Sequence, residues 1–245
     1  MSFKGVAYLT SRWIIRQPTW LFQSVMFMLG FIVIMYAWGG VEGLRNLIIA
    51  WLIMGGWSTG INLIAQEIGW SRVGRTLHMY IASSITPFSY ILGSFISSMM
   101  FLGVELVVVG FMAYMLGFFT ELLVGLLLSI PLIFISMLLG IAIVMKLREG
   151  VNVSAITNPI ANIFSILPPV LYPAKLVPSQ VVVLGIAIPL RKIALLVPTA
   201  TAAELARQLA GLGVSESLTY VATVFATWII ISIVIALYAI KWGHE

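Results

Sequence analysis

The bilayer-length apolar runs of this chain constrain its fold more than any other feature. Residues 20–38, 46–65, 88–117, 122–145 and 218–240 are long apolar stretches, and Glu105 is the only charged residue among them. The hydrocarbon core of a membrane is about 30 Å thick, so a helix rising about 1.5 Å per residue crosses it in about 20 residues. Inside hydrocarbon the backbone has no water to bond, so only helices and closed barrels cross. Barrel strands alternate apolar and polar residues. Runs such as 106–111 and 229–236 do not alternate, so the spans read as helices. A sixth run, 153–172, has the length but contains Pro159, Pro168 and Pro169. A seventh, 181–190, is too short to cross as a helix. The expected fold is all-α: a single polytopic membrane domain over residues 1–245, with six transmembrane helices and one re-entrant or interfacial piece.

Composition agrees and narrows the function classes. The chain is 61% hydrophobic and 9% charged, with mean hydropathy +1.11. Its net charge of +5 is spread over loops with no aromatic-lined basic groove, which argues against nucleic acid as a partner. The cations instead orient the chain in the lipid bilayer of the cell membrane. With six spans both termini share a side. Lys4, Arg12, Arg16, Arg72, Arg75, Lys146, Arg148 and Lys241 then face Arg45, Lys175, Arg191, Lys192 and Arg207. That bias favours cytoplasmic termini. The first apolar run is too long for a signal-peptide core and lacks a small-residue cleavage site, so no signal peptide is expected. With no cysteine there are no disulfides or thiolate metal sites.

Residues 3–17 divide at 100° per residue into a cationic arc of Lys4, Arg12 and Arg16 and an apolar arc of Phe3, Val6, Ala7, Trp13 and Ile14. That pattern fits an amphipathic helix lying on an anionic leaflet and stopped by Pro18. Packing on a partner protein is the alternative.

Residues 66–86 stand out as a charged segment between two apolar spans. Arg72, Arg75 and His78 share one helical face at i,i+3 spacing, with Leu77, Tyr80 and Ile81 as an apolar complement. Glu67 near the start suits a helix N-terminus, and Pro87 marks the end of the loop. Such a segment serves either as a grip for a water-side partner or simply as a topology anchor with snorkelling cations.

The order of residues here resembles the cytoplasmic segment of ABC-2 type transporter permeases. Glu67, Arg72, Gly74, Thr76, Leu77, Pro87, Leu92 and Gly93 follow that family's succession of an acid, a base, a Gly-Thr-Leu-like step, a proline and a Leu-Gly start to the next span. Arg75 separates Gly74 from Thr76, His78 stands where an acid is common, and Ser94 where lysine is common. The resemblance implies a coupling helix that docks into an ATP-binding subunit, with Glu67, Arg72, Gly74, Arg75, Thr76 and Leu77 carrying the contact. It extends to the N-terminal interfacial helix and to a proline-bracketed outer segment, residues 173–217. There Pro173, Pro178, Pro198, Glu204 and Arg207 are the expected gate residues.

The outer segment also has a direct reading. Thr201-x-x-Glu204 fits a capping box and Gly211 a helix stop, which predicts a helix of about ten residues. Residues 181–190 are expected either to dip into the outer leaflet as part of a gate or to cap the bundle.

Two intramembrane features remain. Glu105 lies 18 residues beyond Pro87, about 27 Å along a helix, which places it near the outer edge of the core. It marks either a substrate path or proton relay, or an edge position where a carboxylate costs little. Gly56-x-x-x-Gly60 allows close helix approach, either in a dimer seam or within one bundle.

Catalytic constellations are missing. His78 and His244 lack metal-ligand spacing, there is no Gly-x-Ser-x-Gly elbow, and no Gly-Lys pair supplies a P-loop. The expectation is therefore a non-enzymatic permease subunit. It would pair with a second copy in a homodimer or heterodimer, with ATP and Mg held by a separate ABC ATP-binding subunit. The substrate is unknown, and the apolar spans suit lipids, amphipathic drugs or peptides better than small ions. Competing classes are an ion-coupled transporter or channel working through Glu105, and a membrane assembly subunit without a path.

Overall fold

The computed structural model describes residues 4–8, 18–74, 76–83, 85–147, 152–184 and 186–239. It is mostly helical, and its only sheet among the described residues is one two-stranded hairpin. Helix α1 spans Pro18–Ser58 and runs through a π-helical turn, Thr59–Leu63, into α2, Ile64–Val73. Next come α3 (Thr76–Ala82), α4 (Pro87–Leu116), α5 (Phe119–Lys146) and α6 (Val153–Ile166). After them follow a 3-10 turn (Ala174–Leu176), β1 (Val181–Val183), β2 (Ile186–Ile188), α7 (Leu190–Ala194), α8 (Pro198–Leu209) and α9 (Leu218–Ala239).

Helix α1 is not one rod. Gly40 sits at φ 56°, ψ −136°, a conformation outside the helix that glycine adopts readily. The chain folds back there. The Phe31 and Trp51 rings meet edge to face at 5.9 Å, whereas an unbroken helix would hold them about 30 Å apart. The two arms close over Met28, Met35, Leu44, Leu47, Ile48 and Leu52.

Among the described residues, three helical stretches are long and apolar enough to cross a membrane: Val25–Val73, Phe119–Lys146 and Leu218–Ala239. Pro87–Gly103 and Glu105–Leu116 make a fourth when taken together across a 40° bend. The expected span at 153–172 is a helix only over Val153–Ile166, 14 residues, or about 21 Å. Leu167, the C-cap, still has helical dihedrals, and the helix stops before Pro168 and Pro169, which lack the amide donors needed to continue it. That piece is too short to cross as a straight helix.

The piece at 181–190 also departs from expectation. It forms an antiparallel hairpin in which Val183 pairs with Ile186. β-branched Val and Ile favour this strand geometry over a helix. Its side chains are largely exposed, with Leu184 97% accessible at the tip and held at φ 51°.

Helix α5 is the axle. The second arm of α1, the π-turn, α2, α4, α8 and α9 all pack on it. Gly56 and Gly60 make the closest approach. A Cβ on Gly56 would lie 3.2 Å from Ser129, and one on Gly60 would lie 2.7 Å from both the Ile133 carbonyl and the Met137 amide nitrogen. Both glycines therefore face α5 of the same chain. Between Glu121 and Leu147 this helix separates two polar ends by about 40 Å, close to the full thickness of a bilayer with its headgroups. Residues 4–8 form a short helical stretch whose Val6 is fully buried and belongs to the same hydrophobic cluster as Ile64, Ile68 and Val144. The remainder of 3–17 lies outside the described residues.

Candidate functional site

The first polar end is built around α2. Arg72, in its last turn, reaches past its own helix. Its Nη1 donates to the carbonyl oxygens of Val144 at 2.8 Å and Leu147 at 2.9 Å. These carbonyls lie at the C-terminal end of α5, where the negative end of its dipole is concentrated, and that of Val144 also accepts from the Leu147 amide at 3.1 Å. A charged donor there makes a stronger bond than a neutral one. One turn back, Gly69 lies against α6. A Cβ there would come 2.6 Å from Val153 Cγ2. Residues 64–74 are thus fastened to the end of α5 and the start of α6.

Glu67 sits in the first turn of α2. Burial first, and the Glu67 charge second, hold the Tyr80 phenol above its ordinary range. Gly74 caps the helix, its amide donating to the Trp70 carbonyl at 2.8 Å. Arg75 lies outside the described residues. Thr76 and Leu77 open α3, but their side chains are likewise outside the description. Of the six expected coupling residues, Arg72 turns into the bundle rather than standing free at the surface.

The second polar end gathers around α8, whose residues Pro198–Arg207 are all buried. Pro198 starts the helix at a position where no amide donor is needed. The capping box expected from Thr201 and Glu204 does not form. Val197 is the N-cap, and Thr201 Oγ1 bonds back to the Leu195 and Val197 carbonyls. Glu204 instead accepts from the Ser215 amide at 3.1 Å, the Ser215 hydroxyl, and Gln208 Nε2 at 3.2 Å. The helix is already initiated by Pro198, so Thr201 lies inside it, where back-bonding is the available partner. Gly211, at φ 72°, does follow the helix end.

Arg207 is 1% exposed. Its Nε donates to Asn46 Oδ1 at 2.8 Å, its Nη1 to the Pro169 carbonyl at 3.0 Å, and its Nη2 to the Val170 carbonyl. Glu204 Oε2 stands 4.0 Å from Nη1. Burial lowers the guanidinium to about 10 while Glu204 acts in the opposite sense, so the group is charged at neutral pH. Nearby, Arg45 pairs with buried Glu121 and lies 5.7 Å above the Phe118 ring.

Pro173 and Pro178 flank the 3-10 turn in the loop that leads to the hairpin. Arg191 holds that loop together through the carbonyls of Val177 at 2.9 Å, Ser215 at 3.2 Å and Lys175 at 3.3 Å. Sequence reasoning missed Asn46, Glu121 and Ser215. Glu121 and Asn46 read as ordinary residues at span ends, and only their burial distinguishes them.

Between the two ends, Glu105 rests against the second arm of α1. A Cβ on Gly55 would collide with its Oε2 and lie 3.1 Å from its carboxyl carbon. Gly55 is near the middle of the run 46–65. Glu105 therefore stands at the level of the middle of that run, and the helical chain continues beyond the run through α2 to Val73. The chain matches no family model and none of the curated proteins with which it was compared.

Proposed function

We propose that the chain is the membrane-spanning permease subunit of an ATP-driven exporter of the ABC-2 type, working as a pair of permease chains on two ATP-binding subunits. In this reading the first arm of α1, its second arm with α2, and α4, α5 and α9 cross the membrane. The sixth span is α6 with the chain that follows it. The Arg72 end faces the cytoplasm with both termini, and the Arg207 end faces outward. ATP and Mg belong to the partner. Closure of the ATPase dimer pushes on residues 66–86, and Pro173, Pro178, Pro198, Glu204 and Arg207 belong to the outer gate.

The observation that carries the reading is the pair of hydrogen bonds that Arg72 donates to the Val144 and Leu147 carbonyls. A docking segment transmits force only if it is tied to the spans it must move, and this one is tied to α5, the helix on which the bundle packs. The Gly69 contact adds α6 to the same lever. The charged segment 66–86, in a chain otherwise poor in charge, also suits a water-side partner.

The test is purification of the tagged full-length chain from its native membranes with identification of what accompanies it. An ATP-binding-cassette subunit in stoichiometric amount is expected. Recovery of the chain without any such subunit sinks the proposal.

A further inference from the structure

The hairpin and α7 expose a run of apolar side chains. Val182 and Ile186 stand out from the two strands, and Leu184 at the tip is 97% accessible. Leu190 and Ile193 of α7, and Leu196 just after it, are exposed as well. Residues 176–190 contain no charged side chain. A hairpin that faces water is guarded against association by charges or prolines in its edge strands. Residues 181–183 and 186–188 contain neither.

Position decides what covers this surface. The Tyr220 hydroxyl of α9 donates to the Lys192 carbonyl at 2.9 Å, and Trp228 Nε1 donates to the Leu196 carbonyl at 2.7 Å. These two donors are about 12 Å apart along α9. Residues 192–196 therefore lie beside the first half of a helix long and apolar enough to cross a membrane. The open side chains of Ile193 and Leu196 share the depth of that span, between its own exposed Leu218 and Ile230.

Charge agrees with position. From 150 to 203 the chain has no acidic residue. Lys175 and Lys192 are exposed, and the ion pairs between described residues, Arg45–Glu121 and Arg207–Glu204, include neither. Lys192 Nζ stands 5.9 Å over the Tyr220 ring. An apolar surface rimmed by lysines and an aromatic ring matches a phospholipid leaflet, with acyl chains below and phosphates above. A protein partner would have to bring both an apolar face and acids. The bilayer that α9 crosses already supplies both chemistries at this depth.

We propose that the hairpin and α7 are seated in the phospholipid leaflet at which α9 begins, with their apolar side chains among the acyl chains and Lys175 and Lys192 at the phosphates. The two strands leave unpaired amides and carbonyls at their outer edges, which bars them from the hydrocarbon core. They lie instead at the boundary of headgroups and acyl chains, about 5–10 Å deep. Because α7 leads into α8, the leaflet holds the approach to that buried helix.

This inference needs α9 to cross the bilayer and needs no ATPase subunit, so it and the exporter reading fail separately. The chain has no cysteine, so Leu184→Cys and Ile193→Cys each give a single nitroxide site in the full-length protein in phospholipid nanodiscs. Power-saturation electron paramagnetic resonance compares collisions with oxygen, which concentrates in lipid, and with a nickel chelate, which stays in water. Oxygen is expected to dominate at both sites, with the label at 184 about 5–10 Å below the phosphates. Lys175→Glu together with Lys192→Glu is expected to shift both labels toward the chelate. Gel filtration and circular dichroism establish that each variant is folded. Dominance of the chelate at either site in the chain with its native lysines overturns the proposal, because that surface then faces water. Exclusion of both reagents also overturns it, because protein, such as a second copy of the chain, then covers the surface. Labels that the lysine reversal leaves unmoved overturn the contact with phosphate.

Discussion

Arg207 donates from Nε to Asn46 Oδ1 at 2.8 Å, joining α8 to the second arm of α1 across 161 positions of sequence. The same guanidinium satisfies the Pro169 and Val170 carbonyls, where the chain leaves α6 after its prolines. One side chain therefore closes the end of the bundle. Its planar fork suits three acceptors in different directions, which a lysine ammonium on a flexible stem does not match as well.

Removing that donor set should be costly. Arg207→Met leaves two carbonyls and the Glu204 carboxylate without a charged donor in a buried site, a loss of about 3–5 kcal/mol. A clear fall in the thermal midpoint of the detergent-purified protein is expected. Arg207→Lys should recover only part of it. An unchanged midpoint for Arg207→Met would show that the network contributes little.

Arg72 and Arg75 should separate fastening from docking. Arg72→Ala removes two charge-assisted bonds worth about 1.5–3 kcal/mol each at most. It should leave recovery of the ATP-binding subunit intact while lowering substrate-stimulated ATPase activity about tenfold or more. Arg75→Glu reverses charge at a proposed rim contact and should weaken recovery of the subunit itself. Full ATPase stimulation by both variants in reconstituted membranes would remove these residues from the coupling path.

Glycines in the long helices should divide into two groups. Gly60→Ala drives a Cβ into the Ile133 carbonyl and Met137 amide of α5, which must move, at a cost of about 1–3 kcal/mol. Gly110→Ala, in α4, meets nothing within 4 Å. It should be neutral or stabilising by up to about 1 kcal/mol through helix propensity. Thermal midpoints of the two variants should move in opposite directions or differ by several degrees; equal shifts would contradict the packing described.

The hairpin tip offers a further check. Leu184 occupies the left-handed region, at a cost of about 1–2 kcal/mol for an ordinary residue, whereas asparagine visits it readily. Leu184→Asn should slow amide hydrogen exchange across Val181–Val183 and Ile186–Ile188. Exchange as fast as in the wild-type chain would mean that the turn does not limit hairpin opening.

The apolar runs alone were sufficient to read a helical membrane chain, since hydropathy and length act locally and need no partner. The prolines at 168 and 169 announced a weakness in the run 153–172, yet whether that run crosses depends on where the helix ends, and it ends after 14 residues. The hairpin at 181–188 was missed because a short apolar run carries no periodicity that separates a strand from a helix.

Which polar residues matter was decided by the tertiary structure. Arg72, Glu204 and Arg207 were visible as charges in a greasy chain, but their partners are carbonyls and amides whose positions no side-chain pattern encodes. Asn46 and Asn62 carried no signal at all in sequence. The sequence by itself determined that this chain is helical and built from apolar runs of membrane length, because burial of apolar surface depends on composition. Only the fold decided that Glu105 stands at the level of Gly55 beside a buried Asn62, because depth and proximity are set by how long helices slide against one another.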